Sequence, residues 1–473
     1  MKSKFGIFLF FGFLFSTTSP ADVLRGNAGC IIPFENKILL MRDLWSRKYG
    51  LPGGGPKDSN ESAEQTAVRE VKEETGLNVK AVRLLKTVSN GFHIFLCEPL
   101  HTVIVQSKNL NILPPQSAWN ETHEAVFHVV TEVPENKWRF PAQKDVLASL
   151  IAENQESLSK IKAELDYSGA LVPNSIQKWE LDFISTFQKT FSHDFFKIFF
   201  KIGSSLADEI FFILLFPFVW IFLNRRAAVE LIFLFCETSL ILGVLKWFFA
   251  MNRPFHFIDA LKIGHGSGYG FPSGHSMAAV VLWAFMARRF RLTGGYKLVA
   301  FIALWVGASR VYLGVHFPHD VVAGWITGAI MFCTYVMELK QFKVKEIAIP
   351  VWAAKVSAVA LAALYLRPHP ETVANSCVLA GLMLALLVFP LAKRSAVNSF
   401  SLRVRVMFYA IAVLGLLNME FMVMYLFPQA MTFSVALKVI VTKYILMAFW
   451  LCAELPLFLL QKLKLVAFKK AQG

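Results

Sequence analysis

The stretch GPKDSNESAEQTAVREVKEETGL, residues 55–77, decides how the N-terminal third of this chain is read. Gly55, Glu61, Arg69, Glu70, Val71, Glu73, Glu74, Gly76 and Leu77 stand in it at the spacing G-x5-E-x7-R-E-U-x-E-E-x-G-U, where U is a bulky aliphatic residue. Residues 64–75 favour a helix, with Ala63, Ala67, Val68 and Val71 available for its packed side. Glu70, Glu73 and Glu74 then fall at i, i+3 and i+4, so their carboxylates converge on one face. Converging carboxylates repel unless a cation neutralises them, and hard oxygen donors suit Mg2+ or Mn2+. Arg69 is placed to orient one glutamate, and Gly53-Gly54-Gly55 lets the backbone approach a phosphate closely. A Glu-rich helix alone is usually just a solvated face. The complete spacing is what makes this one a site.

Composition divides the chain. Over 473 residues, 55% are hydrophobic, more than a water-soluble globule needs. Residues 22–205 are mixed polar, while long apolar runs separated by short basic loops fill 209–461. This is the pattern of a polytopic membrane protein with one sizeable water-facing domain. The net charge of +15 gathers beside the apolar runs, as the positive-inside rule expects, and argues against a nucleic-acid partner. Cys236, Cys333, Cys377 and Cys452 lie in apolar runs as small hydrophobes. Cys30 and Cys97 share the polar region, where the sequence leaves open a disulfide or two free strand thiols.

The first 21 residues join Lys2 and Lys4, an apolar core from Phe5 to Phe15, and Ser19-Pro20-Ala21. A basic start, a core too short to span and small residues before a cut describe a secretory signal peptide, residues 1–21. Nine apolar spans are expected at roughly 209–223, 229–250, 275–287, 298–313, 320–338, 349–366, 376–392, 406–427 and 434–460. With the domain after the signal exported, the basic clusters around Arg225–Arg226, Arg288–Lys297, Lys340–Lys345, Lys393–Arg405 and Lys462–Lys470 all fall inside.

A second constellation lies within the apolar part: Lys246-x6-Arg253-Pro254, then Pro272-Ser273-Gly274-His275, then Ser309-Arg310-x5-His316-x3-Asp320. Lys246, Arg253 and Arg310 are fixed cations for the non-bridging oxygens of a phosphate, where charge grows as its bond breaks. Ser273 and Gly274 open a predicted helix and add a hydroxyl and backbone N–H groups. His316 and Asp320 form a nucleophile and its orienting carboxylate, and His275 is placed to protonate the leaving oxygen. Charged groups this deep in an apolar region are expensive, so several together mark a site.

The first set of residues resembles the Nudix hydrolase box, complete in this chain. That resemblance implies an α/β/α sandwich over residues 24–150, and Mg2+- or Mn2+-dependent attack of water on a diphosphate-linked substrate. Glu70, Glu73 and Glu74 would be the metal ligands, with Glu73 a candidate base. The runs Cys30–Pro33, Ile38–Met41, His93–Leu96 and Val126–Val130 are the expected strands. The second set resembles the type 2 phosphatidic acid phosphatase (PAP2) superfamily, with every motif residue matched. It implies a helical bundle over about 206–340, a phosphohistidine at His316, no metal, and lipid phosphates or polyprenyl diphosphates as substrates. The expected fold is therefore an α/β/α Nudix sandwich followed by an all-α transmembrane bundle.

Residues 151–205 form the link, with an amphipathic, Phe-rich stretch from Ser175 to Lys201 that reads either as a helix on the membrane surface or as an ordinary packed helix. Residues 341–473 hold four further spans without a recognisable motif, in which Glu420 and Lys443 are expected to pair and Glu454 is unexplained. An exported chain of this kind fits a bacterial inner membrane, with both sites facing the periplasm. The expected activity is a lipid-phosphate phosphatase fused to a Nudix diphosphate hydrolase. Two alternatives stand beside it: a phosphatase carrying a non-catalytic Nudix binding module, and a lipid phosphotransferase.

Overall fold

The structure is a computed structural model and describes residues 24–105, 111–112, 122–161, 164–166, 173–266, 268–341, 349–366, 369–388, 401–426 and 433–452. The expected signal peptide and Glu454 lie outside the described residues.

The acidic helix forms as its sequence dictates. Helix α1 (Ala63–Thr75) starts in a capping box: Gln65 N–H donates to Ser62 Oγ at 3.1 Å, and Ser62 N–H donates to Gln65 Oε1 at 3.0 Å. It stops at Gly76, whose φ of 78° suits a residue without a Cβ. Ala63, Ala67 and Val71 are buried, while Val68 lies at the edge of the packed side. They meet a four-stranded sheet ordered Gly53–Gly54, Ala28–Ile31, His93–Pro99, Val79–Thr87. The central pair, Ala28–Ile31 with His93–Pro99, is parallel. A second sheet runs Pro33–Phe34, Lys37–Asp43, Thr122–His128, Asn111–Ile112, with Tyr49–Gly50 beside Lys37–Asp43.

Helix α2 (Pro141–Glu153) supplies the opposite layer, burying Leu147 and Leu150 against Ile31, Leu40, Leu51 and Trp138. Ile38–Met41 and His93–Leu96 lie within strands, Cys30–Pro33 is divided at Ile32 between strands of the two sheets, and Val126–Val130 is strand only as far as His128; the layers make the expected α/β/α sandwich. The strand thiols left open by the sequence are joined: Cys30 and Cys97 form a disulfide across neighbouring strands, their Cα atoms 5.5 Å apart. A short helix, α3 (Gln155–Ser159), follows.

The rest is helical. Helices α4 (Ser175–Thr190) and α5 (Asp194–Ser205) precede α6 (Glu209–Phe218), α7 (Arg225–Phe249), α8 (Pro254–Phe257), α9 (Gly274–Arg289), α10 (Gly295–Tyr312) and α11 (Pro318–Gln341). Four more follow: α12 (Ile349–Leu366), α13 (Pro370–Val388), α14 (Leu402–Leu426) and α15 (Phe433–Cys452). Among the described residues five stretches are long and apolar enough to cross a bilayer: Arg225–Phe257, Pro318–Gln341, Ile349–Leu366, Pro370–Leu387 and Leu402–Glu420. The pair Asp194–Ser205 and Ile210–Leu223, bent by 53°, would make a sixth.

The expected spans at 275–287 and 298–313 are the helices α9 and α10. With 16 residues, α9 reaches about 24 Å, short of a hydrocarbon core of about 30 Å. Its N-terminal end is occupied by motif residues rather than apolar ones. Chain direction alternates from α6 onward, so the C-terminal ends of α7 and α10 lie at the same end of the bundle as the N-terminal ends of α9 and α11.

Ion pairs tie the bundle together at depth. Lys443 Nζ meets Glu420 Oε1 at 2.5 Å, the pairing expected from the sequence. Lys355 bridges Glu237 at 2.9 Å and Glu338 at 2.5 Å. At the basic end, Glu230 takes Arg226 at 3.3 Å and Arg289 at 3.6 Å.

Candidate functional site

At the other end of the bundle the three basic-and-histidine motifs meet. Arg253 follows α7 and is 3% exposed. Its Nε donates to Gly268 O at 2.8 Å and its Nη1 to Val315 O at 2.7 Å. Nη1 also lies 3.0 Å from His316 Nε2. A guanidinium can only donate, so Nε2 is the unprotonated nitrogen of that ring. The proton then sits on Nδ1, which faces Asp320 Oδ2 at 3.3 Å. Asp320 is held in turn, Oδ2 accepting the Phe317 N–H at 2.9 Å and the main-chain oxygen accepting Ser273 N–H at 2.9 Å. The arrangement leaves the Nε2 lone pair of His316 directed at the guanidinium.

Ser273 caps α9, its hydroxyl accepting from the Ser276 hydroxyl at 2.9 Å. Gly274 is the first residue of α9, and a Cβ there would stand 2.6 Å from Leu242 Cδ2. A larger residue there would push the Leu242 side chain aside. His275 Nε2 lies 3.9 Å from Asp208 Oδ1. Arg310, 5% exposed, donates from Nη1 to Ser204 Oγ at 2.8 Å. Lys246, on the last turn of α7, is partly buried and within electrostatic reach of Arg253, Arg310 and Asp320. The structure thus gathers Lys246, Arg253, Ser273, Gly274, His275, Arg310, His316 and Asp320 at one end of the bundle.

Several neighbours of this site have no place in the three motifs. Ser204 and Asp208 come from the α5–α6 corner, Glu371 at the start of α13 reaches Lys246 and Arg253 electrostatically, and Glu180 of α4 binds His319. Only Glu180 left a trace in the sequence, as a lone acid beside Leu181 and Ile184 on the apolar face of an amphipathic helix.

The acidic helix α1 builds the second site. Glu70 and Glu74 are buried, one turn apart, and face the glycine loop. Glu74 Oε2 accepts Gly53 N–H at 2.8 Å, and a Cβ on Gly54 would stand 2.5 Å from Glu70 Oε1. The loop can lie against the carboxylates only because it is glycine. Arg69 spans Glu61 at 2.7 Å, Glu70 at 3.0 Å and Glu73 at 2.7 Å, and donates to Gly55 O at 2.7 Å. Gly55, Glu61, Arg69 and Gly76 are accordingly structural members of the box.

The expected convergence of three carboxylates is realised for Glu70 and Glu74. Glu73, about half exposed, turns instead to Arg69. Among the described residues no group of three or more His, Cys, Asp or Glu side chains is gathered for a metal. The donor chemistry still suits a hard divalent cation, because Glu70 and Glu74 are anionic oxygen donors beside an open backbone.

The Glu61 carboxyl is held down to about 2 from an ordinary 4.5, first by its hydrogen bond from Arg69 and then by one from Lys57 N–H. A depressed carboxylate stabilises the fold fully above its unfolded value and loses that contribution as pH falls through the folded one. The window is about pH 4.5 down to 2. Arg69→Ala should be less stable than the wild type above pH 4.5 and should lose less stability in denaturant unfolding across that window, because most of the shift goes with the arginine. Identical profiles would remove Arg69 as the cause.

Residues 23–150 match the family model of the NUDIX domain and residues 227–345 that of the PAP2 superfamily. Three curated relatives illustrate the similarity. Glucose-6-phosphatase catalytic subunit 1 of Haplochromis nubilus is 32% identical over 161 residues, covering 28% of this chain and 46% of its own. Phosphatidylglycerophosphatase B of Bacillus subtilis (strain 168) is 34% identical over 111 residues, with 22% and 53% covered. Undecaprenyl-diphosphatase of Sulfolobus acidocaldarius is 32% identical over 112 residues, with 22% and 52% covered. The chain spans about half the length of these relatives. Two separate matches, each coinciding with one of the two sites built above, describe a chain that joins an N-terminal Nudix domain to a C-terminal membrane domain of the PAP2 superfamily.

Proposed function

We propose that the membrane half is a lipid-phosphate phosphatase working through a phosphohistidine at His316. The observation that carries this reading is the unprotonated Nε2 of His316, held between Asp320 and the Arg253 guanidinium. When a phosphate enters, Arg253, Lys246 and Arg310 take its non-bridging oxygens, and Nε2 is released to attack phosphorus. The Nε2–P bond forms as the P–O bond to the lipid breaks, and His275 gives its proton to the leaving oxygen. Water then attacks the phosphohistidine, returning a proton to His275 and freeing inorganic phosphate. No metal enters this cycle, since the cations that meet the growing charge are side chains.

A lipid substrate follows from the setting. The site lies at the ends of membrane-crossing helices, and one relative is named for phosphatidylglycerophosphate and another for undecaprenyl diphosphate. A third is named for glucose 6-phosphate. Outward-facing chemistry favours the polyprenyl diphosphate slightly over glycerolipid phosphates. The test is phosphate release by purified protein in detergent, with undecaprenyl diphosphate and phosphatidate side by side, with and without EDTA. Release that resists EDTA is expected. Release that vanishes with EDTA would assign the activity to the other half.

The placement of both halves on the non-cytoplasmic face of a bacterial inner membrane rests on charge and on chain direction. The chain enters α6 at the site end, where Asp208 stands beside His275, and the basic loops gather at the opposite end. The Cys30–Cys97 disulfide fits an oxidising compartment. A reporter fused after residue 395 should be active in the cytoplasm. Activity confined to the outside would invert the topology.

For the Nudix half, the proposed activity is hydrolysis of a diphosphate linked to another group. Glu70 and Glu74 would hold Mg2+ or Mn2+, with Glu73 as the third acid, and the ion would supply charge for the diphosphate and activate water. Gly53–Gly55 would admit the phosphates. Replacing Glu74 by Gln should abolish metal-dependent hydrolysis of diphosphate substrates while leaving EDTA-resistant phosphate release intact. A second reading, a binding module without catalysis, is favoured by one observation: Glu73 is already neutralised by Arg69. It predicts no metal-dependent hydrolysis in either protein.

A further inference from the structure

Helix α4 lies outside the region matched by the PAP2 family, yet it reaches the reaction centre. Its outer face mixes polar residues with exposed apolar ones: Ile176 is 66% exposed and Trp179 64%, with Trp179 stacked on Phe183 at 5.8 Å. Its opposite face buries Leu181 and Ile184 and, between these and Asn174, a single acid. That acid is Glu180, 2% exposed. A buried carboxylate costs several kcal/mol unless it is fully engaged, so its partners identify its task.

Both of its oxygens serve one residue. Oε2 lies 2.6 Å from His319 Nδ1, and Oε1 accepts the His319 main-chain N–H at 3.0 Å. The imidazole is thereby gripped at ring and backbone, and it also stacks on Phe317 with centroids 5.3 Å apart. Its far nitrogen, Nε2, stands 3.3 Å from Asp320 Oδ1, an ion pair when the ring is protonated rather than an aligned hydrogen bond. Asp320 offers its other oxygen to His316 at 3.3 Å and is 0% exposed. Four titratable groups therefore run in line from the amphipathic helix to the nucleophile: Glu180, His319, Asp320, His316.

We propose that Glu180 is a positioning residue for the phosphatase reaction, acting through His319 to hold Asp320 and thus the His316 ring. Resting on the phosphohistidine reading above, the inference adds to it a contribution from a helix outside the region matched by the PAP2 family. Lys246, Arg253, Ser273 and Arg310 hold the phosphate and none of them touches Glu180. Loss of the carboxylate should therefore slow the chemical step and leave substrate binding alone. A residue that only packed α4 would not separate these two effects.

The experiment measures kcat and KM for phosphate release from a short-chain phosphatidate in detergent, with EDTA present. It compares wild type, Glu180→Gln, His319→Ala, the double variant and His316→Ala. Glu180→Gln is expected to lower kcat about tenfold, within the range of couplings between contacting residues, with KM unchanged. The double variant is expected to match His319→Ala alone, because Glu180 acts through that ring.

An unchanged kcat in Glu180→Gln, or effects of the two single variants that multiply in the double, would overturn the proposal. Where Glu180→Gln fails to fold, as judged by thermal unfolding in the same detergent, His319→Ala decides. A tenfold fall in kcat at constant KM supports the proposal, and full activity sinks it. Full activity in His316→Ala is a separate failure, which removes the phosphohistidine reading rather than the role of Glu180 within it.

Discussion

His316→Ala is expected to abolish EDTA-resistant phosphate release, lowering kcat by about 10^4-fold or more, as loss of a covalent nucleophile does elsewhere. The size follows from what the imidazole does in the site. On the proposed reading its Nε2, 3.0 Å from Arg253 Nη1, carries the lone pair that takes the phosphoryl group. Asp320, Ser273, Arg253 and Arg310 would remain in place around the gap, so binding should survive while turnover fails. The ring is 1% exposed and packs in a polar cluster, so the variant also needs a folding control. Thermal unfolding in detergent, read beside activity, separates the two effects. Wild-type rates in a folded variant would mean that phosphate leaves by direct attack of water.

Arg253→Lys should be nearly as damaging, with kcat/KM down by about 10^2 to 10^3, although the charge is kept. Arginine at such a phosphate site is worth about 10^3 to 10^5 in rate when its fork meets the transition-state charge. Here the fork is used at three points: Nε to Gly268 O, and Nη1 to both Val315 O and His316 Nε2. A lysine ammonium is one point charge and cannot span them. It would leave at least one buried carbonyl without its donor, costing about 1–3 kcal/mol of stability as well. The readout is kcat/KM together with the unfolding temperature. A lysine variant with native kcat/KM would show that charge alone matters and that the fork geometry does not.

Much of the architecture could be read from residues alone, and for a definite reason. Ser62, Gln65 and Gly76 bracket α1 by local hydrogen bonds and backbone conformation, which sequence neighbours determine. The four expected runs in the N-terminal domain carry mostly apolar residues between turn signals, and each forms strand over most of its length, with Ile32 and Val129–Val130 falling outside. Motif residues such as Arg253, Ser273 and His316 sit within a few positions of helix ends, so their chemistry could be assigned before their contacts were known. The pairing of Glu420 with Lys443 was also legible, because charges buried in apolar helices need partners.

What remained hidden were contacts made across long separations or chosen among competing partners. Glu73 carries the same residue type at the same spacing as Glu70 and Glu74, yet Arg69 draws it aside at 2.7 Å. Cys30 and Cys97 are 67 residues apart, and only the parallel pairing of their strands brings them to bonding distance. Glu180 and His319 are 139 residues apart, and α4 must fold back against the start of α11 before they meet.

The sequence by itself determined the two families of chemistry, the residues that carry each, and the division into a polar domain and an apolar bundle. These depend on residue type, spacing and hydropathy, which are properties of the chain. Tertiary structure alone decided which nitrogen of His316 faces Arg253, which acids face the glycine loop, and which distant side chain grips His319 beside Asp320. Those outcomes depend on donor and acceptor geometry between elements far apart in sequence, and no local pattern encodes it.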